Sequence, residues 1–169
     1  RLPEAVNWES GLEDAVYKIP VEEDWATAWA ITEYALLTMQ QHAQEMGAAF
    51  LLVTLSNPIQ VHPDKRIRKQ FEDRLGVKNL FYPDYRLRDF AASHAITIIT
   101  LAPLLQKYSE QHSVFLHGFP NTAFGVGHWN EAGHGAAARF IEEHVCAQHA
   151  LLQGRQKAQE ARLTDQSPQ

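Results

Sequence analysis

Ala49-Phe50-Leu51-Leu52-Val53-Thr54-Leu55 is a continuous apolar run of strand length. It does not alternate with polar residues, so it reads as a strand covered on both faces, as in parallel sheets. Ile96-Thr97-Ile98-Ile99-Thr100-Leu101 is rich in β-branched residues and reads as a second strand. The connection between them is patterned mainly for helices, which favours parallel pairing and an α/β class. Ser56-Asn57-Pro58-Ile59-Gln60 follows the first strand. Ligands of open α/β sheets bind beyond the carboxyl ends of the strands, which makes Ser56, Asn57 and Gln60 candidate pocket residues. Ser and Asn are also common turn formers, and that reading stays open.

Val21 to Met46 is the longest helical pattern. Glu22, Glu23 and Asp24 load its first turn with acid, and Gly47 ends it. Trp25, Trp29, Thr32, Ala35, Leu36 and Met39 fall on one face, which should be the buried one. Residues 1–20, punctuated by Pro3, Gly11 and Pro20, read as an irregular arm with one short helical turn. Asp64 to Leu75 reads as a helix with Ile67, Phe71 and Leu75 inward and with Lys65, Arg66, Arg68 and Lys69 on a solvated face. Asn79 to Tyr82 suggests a short strand. Asp84 to His94 suggests a helix with Leu87, Phe90 and Ala91 inward. Pro103 suits the first turn of a further helix to Gln111. Residues 112–127 are loop-rich, a last helix runs to Gln153, and the composition turns polar from Gly154. The organisation expected is one α/β domain over 1–153 and a polar tail over 154–169. Two or three strands are few for so many helices.

The chain has 169 residues, 45% of them hydrophobic, and a net charge of −5, values of a soluble globular protein with no basic footprint for nucleic acid. Cys146 is the single cysteine and excludes an internal disulfide. No apolar run is long enough to span a membrane, and no stretch reads as a secretory signal. The chain begins at Arg1 rather than Met, as a processed product or fragment would. The compartment is left open.

Gly125-Val126-Gly127-His128-Trp129-Asn130-Glu131-Ala132-Gly133-His134 marks the passage from loop to last helix. Asn130 is a good N-cap, and Glu131 suits the positive end of the helix dipole. Ala137, Phe140, Ile141 and Val145 carry the helical spacing onward. His128 therefore lies on a glycine-flanked loop just before a helix, a place where rigid scaffolds present catalytic groups. A single His there is more often a capping or surface residue.

Leu116-His117-Gly118-Phe119 followed by Gly127 to His134 resembles the last block of the SGNH (GDSL-like) hydrolases, and the resemblance extends over about Trp25 to Cys146. It implies a three-layer, flavodoxin-like parallel sheet with helices on both faces. Phe50 to Leu55 and Ile96 to Leu101 would be its fourth and fifth strands, and the N-terminal strands would be lacking. It implies His128 as the catalytic base, with Trp129 and His117 near the pocket and Asn130 and His134 as structural support. The family's Gly-Asp-Ser nucleophile block, and the Gly and Asn of its oxyanion hole, are not found in this sequence. The acid that the family places shortly before its His falls on Gly125 and Val126 here.

The activity implied is acyl-ester hydrolysis or transfer on a small-molecule or carbohydrate ester, without metal or cofactor. This chain would supply the base but not the nucleophile. Its uncovered faces would meet a missing N-terminal half or a second copy. Two alternatives stand beside it: a non-catalytic remnant or interaction module of the same fold, and a zinc site of His117, His128 and His134 with Glu131. The second is weakened by the spacing of His128 and His134 across a helix boundary.

Overall fold

The computed structural model describes residues 13–147. Its sheet consists of Leu51–Thr54 (β1) and Thr97–Thr100 (β2), paired in parallel with Leu51 opposite Thr97 and Thr54 opposite Thr100. The parallel pairing is the one the two apolar runs imply. Their burial is not: β1 is half-buried throughout, and only Ile99 of β2 is buried. Among the described residues the sheet has just these two strands, so each has an outer edge without a neighbouring strand. Both strands are also shorter than their apolar runs. Leu101, the last residue of the second run, is instead the first of helix α4 (Leu101–His112), where it is fully buried. Pro103 sits in the first turn of α4, where a missing N–H breaks no helical bond.

Helix α1 (Glu23–Glu45) lies against α3 (Tyr82–Ser93). Arg86 Nε donates to Glu33 Oε1 at 2.7 Å, the Arg86 guanidinium stands over the Trp29 ring, and Trp29 meets Tyr82 edge-on. Only Trp29 of the expected face is buried. Trp25, Ala35 and Leu36 are half-buried, whereas Thr32 and Met39 are exposed, as are Ile31 and Tyr34 nearby. Helix α2 (Lys65–Leu75) is capped by Asp64, which accepts from the Arg66 amide. Its face is less solvated than the run of cations suggested. Arg68 is 3% exposed, donates to the His62 carbonyl and pairs with Glu110 of α4. A partner on a distant helix turned a surface cation into a buried tie.

The short strand expected at Asn79 to Tyr82 is not one. Asn79 Oδ1 accepts from the Phe81 amide, and Tyr82 already begins α3, with Pro83 in the first turn. Leu80 and Phe81 are buried there, and a short apolar run reads alike in a strand and at a buried helix entry. Asp14–Tyr17 forms one 3-10 turn, and a second one spans Pro58–Val61. The last helix, α5, covers 131–147. Residues 1–12 of the expected arm, the expected end of α5 at Gln153 and the domain boundary at 153/154 lie outside the described residues.

The main core joins Val61, Ile99, Leu101, Leu105, Leu116, Ala136 and Ala137, with Phe140 and Ile141 packed on it. A second cluster gathers Tyr17, Ile59, Phe71 and Leu80. The class is α/β, with a small parallel sheet among helices. No helix of the described residues is long and apolar enough to cross a membrane.

Candidate functional site

The segment leading into α5 folds back on itself. His117 and Trp129 form an antiparallel bridge, in which the Gly118 amide donates to the His128 carbonyl at 3.0 Å and the Asn130 amide to Leu116 at 3.0 Å. Asn130 completes the structure in two directions. Its Oδ1 accepts from the Gly133 amide at 3.0 Å, which caps α5, and its Nδ2 donates to the Phe115 and Gly118 carbonyls at 2.9 and 3.0 Å. Two glycines allow this closeness. At Gly118, φ is +83° and a Cβ would stand 1.9 Å from the Ala123 oxygen. At Gly133 a Cβ would stand 2.3 Å from the Leu116 oxygen.

Three side chains tie this segment to the end of β1. Ser56 Oγ lies 3.2 Å from His117 Nε2, the Trp129 indole Nε1 donates to Ser56 Oγ at 2.9 Å, and His117 Nδ1 lies 2.6 Å from the Gly127 carbonyl. A carbonyl only accepts, so His117 Nδ1 carries a proton. In the neutral ring Nε2 then accepts from the Ser56 hydroxyl, whose oxygen in turn accepts from Trp129. Every one of these groups is thereby satisfied. Ser56 and His117 are 6% and 4% exposed. A backbone carbonyl orients the ring at Nδ1.

His128 itself is exposed, and its ring makes no hydrogen bond among the described residues. It lies between Gly127, bonded by His117, and Trp129, bonded to Ser56. The block implies that His128 meets the loop after β1; in the structure His117 and Trp129 make the bonds to Ser56, and the His128 ring makes none of them. His134 is exposed in the first turn of α5, with its ring edge-on to Trp129 at 5.6 Å. Among the described residues no three His, Cys, Asp or Glu side chains converge as metal ligands. His117, His128 and His134 therefore form no zinc set.

Asn57 and Gln60 belong to a different network. The Asn57 amide donates to Gln60 Oε1 at 2.8 Å, closing a capping box around the second 3-10 turn. Gln60 Nε2 donates to the Leu80 carbonyl at 2.8 Å and to Asp84 Oδ2 at 3.1 Å. Thr54 Oγ1 donates to Asp84 Oδ1 at 2.6 Å, and Asn57 Nδ2 donates to the Tyr17 hydroxyl at 2.9 Å. Burial holds the Asp84 carboxyl above the usual carboxylate range, against the pull of its Thr54 and Gln60 donors. Sequence reasoning missed Asp84, Thr54 and Tyr17. The one local signal was Asp84 next to Pro83, an acid in a first helical turn.

No family model, no curated protein and no solved structure matches this chain.

Proposed function

We propose that this chain is the C-terminal part of an SGNH-type ester hydrolase or acyl transferase, contributing His128 as general base to a serine on strands outside this sequence. The observation that supports the reading is the setting of His128. Both of its neighbours are bonded to buried side chains at the carboxyl end of β1, while its own ring is exposed and makes no hydrogen bond among the described residues. A general base needs that combination: a fixed backbone and a nitrogen open to an incoming hydroxyl. In the reaction, the serine hydroxyl attacks the ester carbonyl as His128 takes its proton. The proton then goes to the departing alkoxide, and water releases the acyl group by the same route in reverse.

The substrate proposed is a small-molecule or carbohydrate ester. Further strands, from the same protein or a second copy, would extend a three-layer sheet over the open strand edges and over Leu55, which is exposed beside β1. Light scattering should then show self-association of the isolated chain, and a monomer with no accessible apolar patch would argue against the missing cover.

One observation favours a second reading, a non-catalytic module of the same fold. The position where an orienting acid would stand is Val126, and an uncompensated loss of that acid costs a triad about 10⁴ in turnover. Hydrolysis of p-nitrophenyl acetate by the full-length protein, with and without His128→Ala, separates the two. Loss of activity supports the base; a full-length protein that is inactive to begin with supports the module.

A further inference from the structure

We propose that Ser56, His117 and Trp129 form a clamp that holds the backbone of His128 in one place, making them positioning residues for that base. The inference rests on the reading of His128 as a base. It starts from the order of the hydrogen bonds. Ser56 stands two residues beyond β1, is buried, and holds both arms of the clamp. One arm is the Trp129 indole N–H, bonded to Ser56 Oγ at 2.9 Å, which fixes the residue after His128. The other runs from Ser56 through the His117 ring to the Gly127 carbonyl at 2.6 Å, which fixes the residue before it. The His128 carbonyl is held as well, by the Gly118 amide. Rotation of the peptides on either side of His128 would break one of these bonds and strand a buried polar group.

The same geometry argues against Ser56 as a nucleophile of its own. Its bond to His117 is one a nucleophile would also make, but its oxygen already accepts from Trp129 and the residue is 6% exposed. A reacting serine needs an oxygen face open to a carbonyl carbon.

The experiment uses the full-length protein with p-nitrophenyl acetate, and compares Trp129→Phe and Ser56→Ala with wild type. Misplacing a catalytic group by about 1 Å can cost about 10²-fold, so kcat should fall between 10- and 100-fold with KM unchanged. Amide hydrogen exchange at Gly118 should speed up in both variants, because its acceptor is the His128 carbonyl. Trp129→Phe removes the five-membered ring along with the N–H, so β-(3-benzothienyl)alanine at position 129, which keeps the bicyclic shape and replaces only the N–H by sulfur, decides the matter if Ser56→Ala does not fold. Folded variants with wild-type kcat and unchanged Gly118 exchange would overturn the clamp. Faster Gly118 exchange combined with full activity of His128→Ala would keep the bonds as architecture and remove their catalytic purpose, and with it this proposal. Stoichiometric labelling of Ser56 by a fluorophosphonate, lost in His117→Ala and retained in His128→Ala, would make Ser56 the reacting group and overturn it too.

Discussion

Two buried polar networks leave the carboxyl end of β1, and they differ in where they lead. Thr54, Asn57 and Gln60 turn inward, to Asp84 and Tyr17, and end on groups that are themselves buried. Ser56 turns toward the loop before α5 and ends on the two residues that bracket an exposed histidine. The first network fastens the turn after β1 to α3 and to the first 3-10 turn. The second fastens a loop and leaves its central ring unoccupied. A buried network that terminates beside an open, titratable side chain has the form of a positioning device. One that closes on itself has the form of a rivet. Predictions that separate the two start from the open end.

The largest effect should come from His128→Ala. In the full-length protein it should reduce the turnover of p-nitrophenyl acetate to background. The melting temperature should hardly move, because the ring is exposed and makes no hydrogen bond among the described residues. His134→Ala should leave turnover within a few-fold, since that ring only rests against Trp129. The reverse outcome would move the base from His128 to His134. The isolated chain should show no hydrolysis above background.

The next effects fall on the glycines that let the loop close. Gly118→Ala adds a Cβ 1.9 Å from a backbone oxygen and does so at φ +83°. It should cost well over 1 kcal/mol in urea unfolding. Gly133→Ala adds a Cβ 2.3 Å from the Leu116 oxygen without the positive φ, and should cost about 1–3 kcal/mol as α5 shifts outward. If the shift is real, Gly133→Ala should also lower turnover in the full-length protein. Asp84→Ala should lower stability by a comparable amount, about 1–3 kcal/mol for the buried donors it strands, yet leave turnover at folded temperatures unchanged.

Asp84 also gives the closed network a pH signature. Burial raises its folded pKa, so the folded state holds this proton more tightly than the unfolded chain does. Its contribution to stability is therefore complete below the unfolded value, about 3.9, and is lost as pH rises through the folded value. Asp84→Asn removes the titration. The stability of wild type relative to Asp84→Asn should fall as pH is raised from about 4 and then level off. A difference that rises over that interval would mean that the Thr54 and Gln60 donors outweigh burial.

The two strands were legible because their runs are apolar and rich in β-branched residues, and their parallel pairing because the connection between them is patterned for helices. The cap at Asn130 was legible because capping is local. Partners distant in sequence were not. Ser56 and His117 are 61 positions apart, and nothing near either one marks the other. His117 and His128 share one block, and both sit among glycines. Which of them turns inward depends on the antiparallel bridge to Trp129, a tertiary fact. Arg68 reads as one more surface cation among Lys65, Arg66 and Lys69 until Glu110 of α4 is placed against it. The same holds for Asp84, whose partners Thr54 and Gln60 lie 30 and 24 positions away.

The smallest effect should come from Tyr17, at the far end of the closed network. Tyr17 is 5% exposed, its ring meets Phe71 edge-on, and its hydroxyl accepts from Asn57 Nδ2. Burial pushes its pKa up to about 12. The folded state thus prefers the protonated phenol, so this residue's contribution to stability is present below about pH 10 and declines as pH rises through the folded value. Absorbance titration should show one tyrosine ionising at about pH 12, a step that Tyr17→Phe removes. Tyr17→Phe keeps the ring packing and removes one hydrogen bond, so it should cost only about 0.5–1.5 kcal/mol and leave turnover untouched. A loss of turnover in Tyr17→Phe, with the protein still folded, would show that the rivet also steers the site, and the distinction between the two networks would fall.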